Sequence, residues 1–329
     1  MADLLWAVGV FVFAVTGAGC RLHAQEEDTG APIATEEAAA VTQQEAKGTE
    51  TPVSKEGIRS ALVEPGTPEA KMFPAVFKIL PLPYEPGEDL TFSFKWSGIA
   101  AGRASYKVLD VIRPYKGHKV IKLDSLIESN AFVNMFYSVH DHSYSLVDIE
   151  KGFSRFYYLD KKEDRHQYLD TVEYDYEQGV AHYNRHEKGK DNPKDFPLYG
   201  PVTDVMSVIY YYRQIPKLSV GDTIDLPLST EKEIFLVKMI VDGKDLIKVR
   251  SLGTVRALKV SPAEDVKNGP AMSNMGSSMW IEEVTHIPLR VTIDLSFGSI
   301  TMYLVEANNV VGLKGLSSKE IKAAKKDGY

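Results

Sequence analysis

Residues 89–98 read Asp-Leu-Thr-Phe-Ser-Phe-Lys-Trp-Ser-Gly, and this stretch decides the class of fold. Every second residue in it is large and apolar: Leu90, Phe92, Phe94 and Trp96. A two-residue alternation of apolar and polar side chains is typical of a β-strand with one buried face. The sequence Glu-Pro-Gly-Glu at 85–88 predicts a turn before the strand, and the glycines at 98 and 102 predict a turn after it.

The same alternation returns along most of the chain. Before residue 200 it predicts strands at about 104–108, 119–127, 136–148, 153–159, 168–175 and 180–184. After residue 220 it predicts strands at about 222–228, 232–241, 245–250, 253–260, 277–283, 288–296 and 299–306. The sequence therefore predicts an all-β fold, with strongly curved antiparallel sheets or an open barrel.

One stretch between the two strand series has a helical period. Val202, Val205, Met206 and Ile209 recur at the spacing of one helix face, and Pro201 stands at the start. We expect a single central helix at about 202–214 that closes one end of the β scaffold.

The first 24 residues have the character of a signal peptide. An apolar run ends near Val15, which is too short to span a membrane, and small residues follow it. No Lys or Arg precedes the run, which departs from the usual signal pattern. Gly17-Ala18-Gly19-Cys20 resembles a bacterial lipoprotein box, so Cys20 is a candidate for acylation, and cleavage after Ala24 is the alternative.

Composition changes sharply after the signal peptide. Residues 25–71 hold ten acidic and four basic residues, a net charge of −6 out of −7 for all 329 residues. The segment has no aromatic residue, and we expect a disordered acidic linker over 25–75. A single β-rich domain over 76–312 and a basic helical tail over 313–329 complete the predicted organisation.

Composition also excludes some classes of protein. The single cysteine rules out an internal disulfide and a zinc–cysteine cluster. The near-neutral body lacks the basic face that nucleic-acid binding needs. No cofactor and no nucleic acid are expected.

Motifs for catalysis are few. The chain has no phosphate-binding loop, dinucleotide fingerprint or Gly-x-Ser-x-Gly elbow, and no catalytic residue is predicted. His140 and His142 would share one strand face and are weak candidates for metal ligands. The alternative is that both are ordinary polar positions on an exposed face.

Aromatic residues concentrate in the strands and in the predicted helix. Phe136 and Tyr144 belong to a group that would either line an apolar groove or fill a core. The sequence alone leaves both interpretations open.

Several motifs together resemble a known family. The pattern Pro-Gly-Glu-x-Leu-x-Phe-x-Phe-x-Trp-x-Gly from Pro86, the segment Asp-Val-Met-Ser-Val-Ile-Tyr-Tyr-Tyr-Arg from Asp204, and Pro-Leu-Arg-Val from Pro288 carry the resemblance. They resemble the family catalogued as domain of unknown function 3108, which occurs in exported proteins of Gram-negative bacteria. The likeness covers roughly residues 82–307.

The resemblance implies an all-β envelope domain and carries no established activity. Trp96, Asp204, Ser207, Tyr211 and Arg213 lie in its motifs, and they would either contact a ligand or join the helix to the sheet by packing. Together with the aromatic groups above, they supply the candidate ligand contacts: Trp96, Phe136, Tyr144, Tyr211 and Arg213.

The sequence favours a non-enzymatic protein of the bacterial periplasm, free or tethered to the outer membrane. We expect it to bind or carry a hydrophobic or lipid-like envelope molecule, such as a lipid or glycolipid. A structural or assembly factor that contacts an envelope protein or a polysaccharide is the alternative, and a metal-dependent hydrolase that uses His140 and His142 is the second alternative. Contact with the membrane is expected only through an anchor at Cys20.

Overall fold

The computed structural model describes residues 82–164, 166–230, 233–263, 277–295 and 298–329. The predicted signal peptide over 1–24, Cys20 and the predicted linker over 25–75 lie outside these residues. Within them, no helix is long and apolar enough to cross a membrane.

The described chain forms fifteen strands that lie side by side in one sheet. The first eight are β1 Asp89–Trp96, β2 Ile99–Tyr115, β3 His118–Ser129, β4 His140–Asp148, β5 Ser154–Glu163, β6 His166–Asp175, β7 Val180–Glu187 and β8 Lys190–Pro197. The other seven are β9 Thr203–Asp204, β10 Thr223–Ser229, β11 Ile234–Val249, β12 Gly253–Pro262, β13 Ser277–Glu282, β14 Pro288–Leu295 and β15 Gly298–Asn308. Three short helices accompany them: α1 Ala131–Asn134, α2 Val208–Tyr211 and α3 Ser318–Lys326.

The two strand series are joined through the first strand of the chain. In space the order runs from β8 back to β1, and then from β15 back to β9. Leu90 of β1 lies opposite Tyr106 of β2 on one side and Ala307 of β15 on the other. Neighbouring strands are antiparallel except β9 and β10, which are parallel. The prediction of a mostly β fold is confirmed, and the sheet is not closed because β8 and β9 are its edges.

Tight hairpins connect several neighbouring strands. Ser97 and Gly98, between β1 and β2, both have positive φ, as a two-residue type I′ turn requires. Lys188 and Gly189, between β7 and β8, also both have positive φ. These turns match the right-handed twist of the strands that they join, so they set the register of each hairpin.

Several strand predictions differ from the structure. The alternation does not predict strand β8, because seven of its eight residues are exposed and only Phe196 is buried, as suits a protected edge strand. The predicted strands at 232–241 and 245–250 are one strand, β11, with a register shift between Val241 and Gly243. Strand β4 begins at His140 instead of 136, because α1 and the turn after it occupy the preceding residues.

The central helix is shorter than predicted. Instead of 202–214, α2 covers Val208–Tyr211 and a 3-10 turn covers Tyr212–Gln214. The Asp204 carboxylate accepts hydrogen bonds from the backbone N–H groups of Met206 and Ser207. A side chain that binds its own following backbone favours a turn over a helix. The short helix α1 between β3 and β4 was not predicted, whereas α3 lies in the predicted helical tail.

The core lies on one face of the sheet. The stretch 205–214, which we call the α2 segment, packs against this face. In β1 the predicted inward residues Leu90, Phe92 and Phe94 are buried, while Trp96 is half-buried. Helix α3 lies in the predicted tail; it begins with a capping box between Ser317 and Glu320.

Candidate functional site

Asp204 fixes the backbone that leads into α2. Its Oδ1 atom accepts hydrogen bonds from Ser145 Oγ at 2.6 Å, Met206 N at 2.9 Å and Ser207 N at 2.8 Å. Ser207 Oγ in turn accepts from Asp204 N at 2.9 Å and lies 2.9 Å from Ser154 Oγ. Burial raises the pKa of Asp204, and these hydrogen bonds offset part of that rise. Because Ser145 and Ser154 belong to β4 and β5, the network ties α2 to the first strand series.

The end of the helical segment is anchored by an ion pair. The Arg213 guanidinium donates to both carboxylate oxygens of Glu88 and, at 2.8 Å, to the Pro83 carbonyl oxygen. Burial raises the pKa of Glu88, although the Arg213 charge and hydrogen bond lower it in part. Tyr211 donates through its hydroxyl to the Asp225 carbonyl oxygen at 2.7 Å. The helical segment is therefore held from both strand series.

His286 supports the segment from a third side. Its Nδ1 atom lies 3.1 Å from the Tyr212 carbonyl oxygen, and the residue is buried. Burial lowers the pKa of His286, so the neutral ring donates through Nδ1–H to that carbonyl. Gln214 adds a hydrogen bond from Nε2 to the Gly152 carbonyl oxygen at 3.0 Å.

An apolar pocket lies between the α2 segment and the second strand series. Its lining comes from the α2 segment, from β10, β11 and β13 to β15, and from β2. The lining residues are Tyr106, Val205, Val208, Ile209, Tyr212, Leu226, Leu228, Val237, Met239, Ser277, Ser278, Met279, Pro288, Val291, Ile293 and Met302. Among these described residues there is no Asp, Glu, Lys, Arg or His. Such a surface suits an apolar ligand.

The pocket has a volume of about 90 Å³. A single water needs roughly 10–15 Å³ on the same measure, and an apolar cavity of about 150 Å³ in another protein takes up benzene. The space therefore fits several carbon atoms of an aliphatic chain. The Ser277 hydroxyl is buried in the lining and has no hydrogen-bond partner among the described residues.

The five predicted ligand contacts do not line this pocket. Tyr211 and Arg213 are buried, and their polar ends bind within the protein, which is the packing role that the sequence left open. Trp96 is half-buried at the end of β1, and Phe136 is 62% exposed after α1. Tyr144 lies on the outer face of β4. The structure distributes these residues over separate places instead of gathering them into one site.

Tyr144 belongs to a row of aromatic residues on the outer face of β2, β4 and β5. Its ring stacks on Tyr158 at 4.8 Å between centroids and lies 6.0 Å from Phe156, which in turn lies 5.9 Å from Tyr115. Lys122 places its ammonium 4.0 Å from the Tyr144 ring centroid. The row is half-buried and lies opposite the face that carries the core.

His140 and His142 share one face of β4, as the strand period predicted. Each faces a different carboxylate of β3: His140 Nδ1 lies 3.0 Å from Glu128, and His142 Nε2 lies 3.0 Å from Asp124. In the part of the chain that the structure describes, no three His, Cys, Asp or Glu side chains group around one point as metal ligands would. Metal binding by these histidines stays a prediction.

The pocket itself is not predicted by the sequence. The helical period identifies Val205 and Ile209 only as one face of a helix, and the alternation identifies the strand residues of the lining only as apolar positions. The helical period does hint at the pocket, because the apolar face that contains Val205 and Ile209 has to pack against another apolar surface. The sequence does not show that this packing leaves a space.

Fold and pocket together define an all-β protein in which one sheet holds an apolar pocket beneath a short helical segment. The chain matches the family model described as "Protein of unknown function (DUF3108)" over residues 91–305, and it belongs to that family. The prediction from the sequence motifs is confirmed. A search of curated proteins found no match.

Two solved structures show a distant likeness. A β-barrel-like protein of domain of unknown function DUF1849 from Brucella abortus is 9% identical, with a TM-score of 0.44 over 67% of this chain and 96% of that one. A protein with a YmcC-like fold from Bacteroides fragilis is 9% identical, with a TM-score of 0.29 over 69% of this chain and 98% of that one.

Proposed function

We propose that this protein binds a hydrophobic or lipid-like molecule in the apolar pocket beneath α2, as a non-enzymatic protein of the bacterial envelope. The pocket lining carries the proposal, because it offers sixteen residues without a charged side chain. The space fits part of one aliphatic chain.

The course of the sheet supports this function. Strand β11 comes within 8 Å of β14 and β15, measured between Cα atoms, although β12 and β13 separate them in the sheet. Likewise the edge strand β9 comes within 8 Å of β5. We infer a strongly curved sheet, an open barrel in outline, whose concave side is occupied by the α2 segment. A ligand would occupy the space that this segment leaves.

The envelope location rests on the sequence. The apolar run and small residues before Ala24 support export, and Cys20 supports a tether to the outer membrane. Such a protein would hold or carry a lipid or glycolipid in the periplasm, close to the membranes that contain it.

Titration with a fluorescent fatty acid tests the proposed function. The full chain with Cys20→Ser should bind the probe saturably, and an unlabelled fatty acid should displace it. Val291→Phe fills part of the pocket and should weaken binding about tenfold or more, since overfilling costs roughly 1–3 kcal/mol. Val311→Phe is the matched control, because Val311 is 74% exposed and outside the lining.

Equal binding by wild type and Val291→Phe would overturn the proposal, provided that circular dichroism shows both chains folded. Mass spectrometry of the protein purified from bacterial membranes should also detect a co-purifying lipid. A pure, lipid-free protein that fails to bind the probe would contradict it.

The aromatic row on the outer face favours a second function, contact with a polysaccharide as an envelope assembly factor. Tyr115, Tyr144, Phe156 and Tyr158 present half-buried rings beside Lys122 and Asp124. Rings with nearby polar groups suit a ligand that has apolar faces and hydroxyl groups. Retention on immobilised envelope polysaccharide, lost on Tyr158→Ala, would support this second function.

A further inference from the structure

Four large apolar side chains are exposed at one end of the sheet. They are Ile99 (53% exposed), Phe132 (53%), Met135 (68%) and Phe136 (62%). Ile99 lies directly after the β1–β2 turn, and the other three lie in the α1 segment between β3 and β4. We call residues 97–102 and 131–138, which carry these side chains, the apolar tip. Exposed apolar patches on folded proteins commonly mark interaction sites.

The two parts of the apolar tip are joined to each other. Asn130 Nδ2 donates to the Ala100 carbonyl oxygen at 2.7 Å, and Asn130 N donates to the Ala101 carbonyl oxygen at 2.8 Å. The Asn130 side chain also accepts from Val133 N at 3.0 Å and so caps α1. The apolar side chains are thus presented by a connected surface.

The base of the tip is fixed by the sheet. Ser129 N donates to the Val139 carbonyl oxygen at 3.0 Å, and Val139 N donates to Ser129 Oγ at 2.7 Å. Tyr137 is buried, and its hydroxyl donates to Glu163 at 2.8 Å. The exposure of Phe132 and Phe136 is therefore built into the fold, and their rings contact each other edge to face at 5.7 Å.

The chemistry of the apolar tip favours lipid over protein. Residues 97–102 and 131–138 contain no Asp, Glu, Lys, Arg or His. Asn130 binds the Ala100 carbonyl oxygen and Val133 N through its side chain, and Asn134 Oδ1 accepts from Ser129 Oγ. Apolar and aromatic side chains without directional polar groups suit insertion among acyl chains and headgroups.

The charges next to the tip identify the kind of lipid. Lys95 precedes the β1–β2 turn and Arg103 follows it, and both side chains are exposed on the outer face. Two acidic residues also adjoin the tip. Glu128 lies opposite Arg103 in the register and is in contact with His140 at 3.0 Å. Asp164 donates through its backbone N–H to the Ser138 carbonyl oxygen at 3.0 Å, on the β5 side of the tip, away from the two cations on β1 and β2. We propose that the apolar tip docks on an anionic lipid surface, with Phe132, Met135 and Phe136 in the interface and Lys95 and Arg103 beside the headgroups. This adds a direct membrane contact to the one expected at Cys20.

A local probe tests this in the full chain. Cys20→Ser removes the only cysteine, so Phe136→Cys can be labelled alone with an environment-sensitive fluorophore. Val311→Cys, also exposed and far along the chain from the tip, is the matched control. On vesicles of phosphatidylglycerol and phosphatidylethanolamine we expect a blue shift at position 136 and none at position 311. The comparison is independent of attachment through the N-terminal segment, which both chains share.

Further variants separate the contribution of the two cations to vesicle binding from that of the aromatic side chains. Lys95→Ser with Arg103→Ser should weaken the response to anionic vesicles by roughly tenfold or more, at about 1 kcal/mol for each cation near the surface. The same double variant should leave the weaker response to phosphatidylcholine vesicles unchanged. Loss of the blue shift on Phe132→Ser, read at position 136, would support insertion of the Phe132 ring.

Three outcomes would overturn the proposal. One is no shift at position 136 on any vesicle, and another is an equal shift at position 311. The third is a shift without vesicles that grows with protein concentration, which would assign the tip to contact between two copies. None of these readouts depends on fatty-acid binding in the pocket, so this proposal and the proposed function can fail separately.

Discussion

Arg213 and Glu88 form a buried ion pair across 125 residues of sequence, and the pair joins the helical segment to the start of β1. Arg213 Nη2 lies 2.9 Å from Glu88 Oε2, and a second hydrogen bond joins Nη1 to Oε1. This bidentate geometry fits the planar guanidinium to the carboxylate. Glu88 and Arg213 belong to two of the segments on which the sequence resemblance rests, so the ion pair joins two motifs that are far apart in the sequence.

We predict that Glu88→Gln lowers the free energy of unfolding by roughly 3–5 kcal/mol, because it leaves the Arg213 charge buried without its counter-ion. Urea denaturation measures the change. Glu150→Gln is the matched control, since Glu150 and Lys119 form an exposed pair at 3.9 Å. Such surface pairs contribute about 0–1 kcal/mol. Equal effects of the two substitutions would show that the Glu88 pair is not structural.

A second prediction separates the role of Asp204 as a hydrogen-bond acceptor from the role of its charge. Asp204→Ala leaves three buried donors without an acceptor and should lower the free energy of unfolding by about 2–4 kcal/mol. Asp204→Asn keeps an oxygen at the Oδ1 position and should cost less than about 1 kcal/mol, because burial already disfavours the charge. Thermal unfolding followed by circular dichroism compares the two variants. If Asn were as damaging as Ala, the carboxylate charge would be required instead.

The strands could be predicted from the sequence because each depends on a local period. Leu90, Phe92 and Phe94 are buried as the alternation of β1 required. Strand β8 has no such alternation, since an edge strand exposes both faces, and only the Lys188-Gly189 turn indicates it. Edge strands are therefore the elements that hydrophobic patterning finds least well.

The pocket and the apolar tip depend on long-range contacts that a local pattern does not contain. Tyr106 and Met302 meet in the pocket although almost 200 residues separate them in the sequence. The alternation predicts Phe136 in a strand, whereas Asn130 begins a helical turn that exposes it. The position of a side chain in a single strand was predictable, but the space between distant elements was not.

Gly102 supplies the third prediction. A Cβ atom at this position would lie 2.2 Å from the Glu128 carbonyl oxygen, on the neighbouring strand β3. Gly102→Ala should therefore lower the free energy of unfolding by about 1–3 kcal/mol, since backbone has to shift to relieve the overlap. At Gly243, also in a strand, the nearest atom to an added Cβ would be Lys259 Cβ at 3.8 Å. Gly243→Ala should be close to neutral, and a comparable loss in both variants would contradict the steric explanation.

The fourth prediction concerns a buried group of charges on β4 and β5. Lys161 lies 2.6 Å from Glu163 and 3.8 Å from Asp141, and all three side chains are buried. Tyr137 donates to the second oxygen of Glu163. Two carboxylates thus share one ammonium group, and burial together with the Glu163 charge raises the pKa of Asp141 to about 7.

The sign of the pH dependence follows from this raised pKa. An unfolded Asp has a pKa near 3.9, so between about pH 4 and pH 7 the folded protein binds a proton that the unfolded chain has released. The contribution of Asp141 to stability is therefore complete below about pH 4 and is lost as the pH rises to about 7. We expect a loss of a few kcal/mol over this range, on the order of 1.4 kcal/mol for each unit of difference in pKa.

Asp141→Asn tests this directly. The amide oxygen can still accept from Lys162 N, as Asp141 Oδ1 does at 2.9 Å, while the titration is removed. The variant should unfold at a higher urea concentration than wild type at pH 8, and its stability should change less between pH 4 and pH 7. Asp160→Asn is the matched control, because Asp160 is on the outer face of β5 and pairs with the exposed Lys162. A wild-type stability that rises from pH 4 to pH 7, with the same slope in Asp141→Asn, would show that Asp141 is charged in the folded protein at low pH.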